Sequence, residues 1–262
     1  MFSYGLKKNI AQVQSELQKD GFSLLHGYLS NSPEVINLKN KIYELVCIKA
    51  SQYKIQNPQN SSDSVNEAIM SLYSINSSIG GFLNDTLNAS PELFKLTNSD
   101  YFIELARKII GNESSCILIN NIRIRVQIPG CDDISNLPWH QDSQYNNLYK
   151  DNNSIVIWTS LNDINQEIGP VVFKKGSHKL KKLPNVEFKK PNGQVVFSLQ
   201  EKYINNSDFD EQSFETKNGD VVLIDMNVIH RSGENKSNNS VKFSLQCRCH
   251  NASTQGFLPD YD

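Results

Sequence analysis

The sequence has no C-x-x-C pair, and its five cysteines, Cys47, Cys116, Cys131, Cys247 and Cys249, are odd in number. That argues against a zinc ribbon and a disulfide framework, and the expectation is buried or half-buried free thiols in a reducing compartment. A charge excess is also missing. With 26 Lys and Arg against 28 Asp and Glu, the formal net charge is −2, so nothing points to nucleic acid or a membrane surface as a partner. No apolar run approaches transmembrane length. Residues 1–17 carry an amphipathic pattern rather than an apolar leader, and the final Leu258-Pro259-Asp260-Tyr261-Asp262 is not a peroxisomal address. These absences together predict a cytoplasmic protein. Histidine is scarce as well, with five residues, His26, His140, His178, His230 and His250, which leaves few candidates for an imidazole metal ligand.

What is present is an ordinary globular composition, 38% hydrophobic and 21% charged over 262 residues, enough for one large domain with a real core. The first part reads helical. Leu6, Ile10, Val13 and Leu17 recur at helical spacing and Asp20-Gly21 closes the run. A short apolar strand is expected at residues 22–25. Ser32-Pro33-Glu34 has the cap, first-turn proline and acid of a helix start, and Val35, Leu38, Ile42 and Leu45 form its buried stripe. Residues 51–64, rich in Gln, Asn and Ser, read as a loop. Ser90-Pro91-Glu92 starts another helix, and a further one over residues 101–110 stops at Gly111.

After Gly111 the period changes to two. Ile122, Ile124, Val126 and Ile128 share one strand face, and Asn121, Arg123, Arg125 and Gln127 the other. Further strands are expected at residues 155–161, 171–173, 220–225 and 241–249. In the last, Lys242, Ser244, Gln246 and Arg248 oppose Val241, Phe243, Leu245, Cys247 and Cys249. Helices followed by strands predict an α+β chain. Polar faces on two strands suit the mouth of a barrel that takes a charged ligand. Residues 1–262 read as a single domain, with a helical flank over 1–112, a β core over 113–250 and a long insert near 174–214. The insert's lysines, Lys174, Lys175, Lys179, Lys181, Lys182, Lys189 and Lys190, are expected on a solvated surface loop, with a lid or a loop facing an anionic substrate as the alternative.

Trp139-His140-Gln141-Asp142 holds an H-x-D pair. On a strand, residues two apart point the same way, so an imidazole and a carboxylate can meet one metal. A second histidine from another strand completes a 2-His-1-carboxylate face, the arrangement that leaves open positions on iron(II). His230 stands where such a ligand is expected, after a turn, a buried strand and a short connection. His178 reads as a turn residue packed near the site, His26 as a structural histidine, and His250 remains a reserve ligand. Asp225 suits a turn or capping role better than support of a ligand.

Ordered along the chain are Trp139-His140-Gln141-Asp142-Ser143, Trp158-Thr159-Ser160-Leu161-Asn162-Asp163, Gly169-Pro170-Val171-Val172, Gly176-Ser177-His178, Gly219-Asp220 and His230-Arg231-Ser232-Gly233-Glu234-Asn235. That ordered set resembles the phytanoyl-CoA hydroxylase family, with a correspondence that covers residues 121–250, although each piece alone is unspecific. The resemblance implies a double-stranded β-helix (a jelly roll, cupin-like) with flanking N-terminal helices. It implies iron(II) on His140, Asp142 and His230, with 2-oxoglutarate and dioxygen as cosubstrates and succinate and carbon dioxide as products. The far carboxylate of 2-oxoglutarate would meet a cation about a dozen residues past the distal histidine. The family usually has arginine there; this chain has Lys242, a point charge without the guanidinium fork. Arg248, on the same face, is its rival. Ser232 would hydrogen-bond the same carboxylate, and Gln127 and Trp158 match cosubstrate-pocket positions. The carboxylate of Asp142 argues for hydroxylation of an unactivated C–H bond rather than halogenation, with desaturation and ring closure using the same triad. A small-molecule substrate is expected, with Arg123, Arg125, Gln141 and Tyr145 as candidate contacts. The rival readings are an inactive jelly-roll binding protein and a cupin-type metalloenzyme that does not use 2-oxoglutarate.

Overall fold

The computed structural model describes residues 8–131, 136–145, 153–191, 193–254 and 257. Helix α1 (Ile10–Asp20) starts on Asn9, whose side chain accepts from the Gln12 amide, and ends on left-handed Gly21. Leu6 lies outside the described residues. Strand β1 (Phe22–Leu25) follows, then α2 (Pro33–Gln52), capped by Ser32 as its sequence predicts. Two helices that the sequence analysis does not anticipate come next, α3 (Ser62–Ile75) and α4 (Ile79–Asn88). The first of them buries Val65, Ala68, Ile69 and Leu72, a helical stripe hidden by its Ser- and Asn-rich surroundings. Helices α5 (Pro91–Thr97) and α6 (Asp100–Ile110) complete the flank.

The strands are β2 (Ile117–Gln127), β3 (Ser154–Ser160), β4 (Val172–Lys174), β5 (Asn185–Lys189), β6 (Val195–Leu199), β7 (Glu211–Ser213), β8 (Val221–Asp225), β9 (His230–Arg231) and β10 (Lys242–Asn251). They make a five-stranded sheet, β1-β8-β3-β10-β2, and a three-stranded sheet, β7-β4-β9; every pairing is antiparallel. The large sheet is apolar on both faces along its centre. Its outer face, with Ile155, Ile157, Val221, Leu223, Leu245, Cys247 and Cys249, shares one core with the helices. Its inner face gives Phe22, Val156, Trp158, Val222 and Ile224 to a second core with Phe173 of the small sheet. Two sheets closed over such a core form a jelly roll, with the helices packed on the outside.

The insert is not a plain loop. Residues 185–199 fold into the β5–β6 hairpin, and β7 pairs with β4 at the edge of the small sheet. Lys174 and Lys190 are buried, against the expectation of solvated lysines, whereas Lys179, Lys181 and Lys182 are exposed. All five cysteines are free, but Cys116 is exposed rather than buried. Among the described residues no helix is long and apolar enough to cross a membrane.

Candidate metal and cosubstrate site

His140 and His230 meet backbone to backbone. The amide of each donates to the carbonyl of the other, at 2.9 and 3.0 Å, in an isolated bridge that extends the small sheet past β9. Asp142 is not on a strand; it opens the short 3-10 turn Asp142–Tyr145. The turn brings the carboxylate back over the two imidazoles, so the expected geometry is reached by a different backbone route. Gln141 fixes that route. It is fully buried, and its amide donates to the carbonyls of Lys181 and Asn227 and accepts from the Leu183 amide.

The donor set fits a metal cation. One ligand atom each from His140, Asp142 and His230 lies within 4.8 Å of the others, and all three residues are buried. The Nδ1 of His140 lies 2.8 Å from the Pro138 carbonyl, and that of His230 lies 3.0 Å from the Val228 carbonyl. A carbonyl can only accept, so both Nδ1 atoms carry hydrogen, and in a neutral ring Nε2 keeps its lone pair. The Nε2 of His230 is 3.4 Å from Oδ2 of Asp142, and that oxygen is buried without a hydrogen-bond partner among the described residues. An uncompensated buried carboxylate oxygen facing imidazole lone pairs is a poor arrangement unless a cation sits between them.

Electrostatics favour the ligating forms. Burial, followed by the neighbouring His230, pushes His140 down to about 3, so the ring is neutral near pH 7. Burial alone would raise the Asp142 carboxyl, but Arg248, His230 and His140 together hold it below the usual carboxylate range. Arg248 pairs with Oδ1 of Asp142 through its Nη2.

Beside this centre lies a narrow cavity of about 30 Å³, lined by Gln127, Trp158, Ser232, Lys242, Ser244 and the metal-site residues. Lys242 is buried and donates from Nζ to the Gly169 carbonyl at 2.5 Å. Ser232 Oγ accepts from the Leu137 amide at 3.0 Å, which leaves its own hydroxyl hydrogen to donate. Gln127 donates to Asn136 and faces the same cavity. Alternation on β2 and β10 therefore puts Arg125, Gln127, Lys242, Ser244 and Gln246 on this cavity, whereas Asn121 and Arg123, earlier on the β2 polar face, are exposed.

Other candidates sit elsewhere or act differently. His250 is tied to Ser154 at 2.7 Å and Asn120 at 3.1 Å, away from the centre, so it is no reserve ligand. His178 donates to the Gln18 carbonyl at the end of α1. Asp225 accepts from the Asn227 amide in a turn. Arg123 is exposed, Gln141 is used up by backbone partners, and Tyr145 lies edge-on to His140 with its hydroxyl on the Phe197 backbone. Sequence reasoning missed the bond between Arg248 and Asp142, since nothing local to either residue signals it. It also missed Phe173, fully buried and stacked 5.8 Å from His230.

Residues 17–242 match the sequence profile described as phytanoyl-CoA dioxygenase (PhyH). No curated protein matches the chain. Among solved structures, the fold is similar to the epimerase SnoN in complex with Fe3+, alpha ketoglutarate and nogalamycin RO, with TM-score 0.59 and 14% identity over 93% of this chain and 84% of that one. It is similar to EctD from S. alaskensis with 2-oxoglutarate and 5-hydroxyectoine, with TM-score 0.58 and 14% identity over 97% and 79%. It is also similar to AviO1 from Streptomyces viridochromogenes Tue57, with TM-score 0.57 and 15% identity over 95% and 97%.

Proposed function

The chain belongs to the phytanoyl-CoA dioxygenase family and is an iron(II)- and 2-oxoglutarate-dependent dioxygenase, and on that premise we propose that His140, Asp142 and His230 hold the iron and that Lys242 binds the far carboxylate of 2-oxoglutarate. The observation that carries this reading is the convergence of three ligand atoms within 4.8 Å, one of them a carboxylate oxygen with no hydrogen bond. The net reaction joins dioxygen and 2-oxoglutarate to a C–H bond and yields an alcohol, succinate and carbon dioxide. Iron bound at the three ligands supplies the activation of dioxygen.

The residues of the chain supply position and dryness. The Pro138 and Val228 carbonyls fix the tautomer and tilt of the two imidazoles, as partners of metal-bound histidines do. Arg248 holds one Asp142 oxygen and leaves the other to the centre. Lys242 supplies a buried positive charge, and the Ser232 hydroxyl is a second donor on the same cavity. The cavity has the free space of about one water molecule, so a five-carbon diacid needs its longer side chains, Lys242 first, to draw back. Trp158, Val171 and Ile224 give it apolar walls that exclude water from the reacting atoms. A lysine in place of the family's arginine keeps the charge but loses bidentate geometry. Intact Asp142 favours hydroxylation of a small-molecule substrate within a single domain.

The test is succinate formation from 2-oxoglutarate in air with iron(II). The wild type should form succinate, and Asp142→Ala and His230→Ala should not. A wild type that binds iron yet forms no more succinate than the two variants would overturn the assignment.

A further inference from the structure

A second and larger cavity, about 270 Å³, adjoins the metal site and shares one residue with it, Arg125. It lies at the β2 edge of the large sheet, between α4 and the β5–β6 hairpin. Tyr73, Ser77, Asn84, Lys190 and Gln194 give it a polar lining, with Val126 and Ile128 on the sheet side. The volume is near the lower end for small-molecule sites.

The interior cations near the metal site differ in how they are satisfied. Arg248 is paired with Asp142, Lys242 with the Gly169 carbonyl, and Lys174 with Glu211 at 3.6 Å. Arg231 reaches Glu211 at 4.0 Å and lies over the Trp139 ring. Arg125 alone of these makes no hydrogen bond or ion pair among the described residues. Burial, partly offset by Asp142, weakens the hold of its guanidinium on its proton. Lys190, buried on the facing hairpin, is pushed down to about 8 by burial and then by the charge of Arg125. Two like charges turned into one partly dry cavity repel each other, and an anion between them would relieve the cost.

We propose that Arg125 and Lys190 seat the acidic group of the substrate, a carboxylate or a phosphate ester, in this cavity, so that a neighbouring C–H bond is presented at the His140, Asp142 and His230 centre. This rests on the dioxygenase reading above and adds the substrate class to it. The guanidinium offers the bidentate contact and the ammonium a point charge opposite, which fits a planar carboxylate as well as a tetrahedral phosphate. The charge on Arg125 at the junction of the two cavities also sets the distance between the acid and the oxidised carbon. A neutral substrate of the same shape would leave the Arg125 guanidinium without a counter-charge, and is discriminated against.

The experiment uses the anaerobic iron(II) complex saturated with 2-oxoglutarate, followed by the visible charge-transfer band of the chelate. Inorganic phosphate and benzoate are then titrated calorimetrically into wild type, Arg125→Met, Arg125→Lys and Lys190→Met. At least one anion should bind the wild type. Its Kd should rise tenfold or more in Arg125→Met and less in Arg125→Lys and Lys190→Met, while the band forms at the wild-type 2-oxoglutarate concentration in all three variants. Neither anion binding the wild type, or equal binding by wild type and Arg125→Met, would overturn the proposal. So would a band that needs more 2-oxoglutarate in Arg125→Met, because Arg125 would then serve the cosubstrate. Failure of the wild type itself to form the band would strike the dioxygenase reading instead, and is read out separately.

Discussion

Arg248 binds one oxygen of Asp142 while the other oxygen faces Nε2 of His230 at 3.4 Å. The two residues are 106 positions apart and join the last strand to the turn that follows His140. The pair is nearly sealed from solvent, so its contribution changes with what else neutralises the carboxylate. In the metal-free protein Arg248 is the main counter-charge; iron held at the proposed ligands would make it one of two.

Replacing Arg248 by Met should therefore destabilise the metal-free protein by about 3 kcal/mol, the usual cost of breaking a buried pair. Saturating iron(II) should recover part of that loss. Urea midpoints with and without metal measure both. An equal loss in the two states would show that Arg248 acts on packing and not through the charge of Asp142.

Lys242→Met should raise the Kd for 2-oxoglutarate about 10- to 100-fold, the range for losing a charge-assisted bond. Lys242→Arg should restore a good part of it, and iron affinity should stay the same in both. The readout is 2-oxoglutarate titration of the anaerobic iron complex. If Lys242→Met binds like wild type, the cation for this carboxylate lies elsewhere.

The loop that carries Gly169 and the one that carries Gly233 interlock without room for a side chain. A Cβ on Gly233 would stand 2.1 Å from the Pro170 carbonyl, and one on Gly169 would stand 2.2 Å from that of Glu234. Gly233→Ala should lower stability by about 2 kcal/mol or more, as overpacking does, and should weaken 2-oxoglutarate binding because Ser232 is displaced. Thermal melts and the same titration check the two effects. Unchanged values would mean that the loops part freely.

Stability of the metal-free protein should fall on acidification. His140 is held at about 3 in the fold against about 6.5 in an unfolded chain. Between those values the unfolded state binds the extra proton, so stability rises with pH and is lost as pH falls below about 6.5. Asp142, depressed in the fold, adds a loss of the same sign at lower pH. From pH 7 to pH 5, the His140 contribution is about 2 kcal/mol. Urea midpoints at the two pH values should differ by more in wild type than in His140→Gln. Equal slopes would show that His140 is not held neutral by burial.

The sequence made much of this site legible, because its chemistry rests on short local signals. His140 and Asp142 are two residues apart, His230 follows a recognisable turn and strand, and alternation alone assigns Gln127, Ser244 and Lys242 to one interior. What escaped is non-local or locally disguised. Arg248 finds Asp142 only when the barrel closes. Lys190 sits in a lysine-rich insert that reads first as solvated surface and only second as a contact for an anionic substrate, and it is the β5–β6 hairpin that sets it against the β2 edge. The apolar stripe of α3 is thinned by serines and asparagines, so a helix that walls the large cavity through Tyr73 reads as the continuation of a polar loop. The H-x-D pair comes together with His230 by a path other than the expected one: Asp142 approaches the two imidazoles from a 3-10 turn held by Gln141, not from a strand.

The central claim is that His140, Asp142, His230 and Lys242 form one site for iron(II) and 2-oxoglutarate together. Anaerobic titration of the metal-free protein with iron(II) and then 2-oxoglutarate tests it most directly. A visible charge-transfer band in wild type, absent in His230→Ala and shifted to higher 2-oxoglutarate in Lys242→Met, is the predicted result. Iron bound one to one with no band at any 2-oxoglutarate concentration would contradict it.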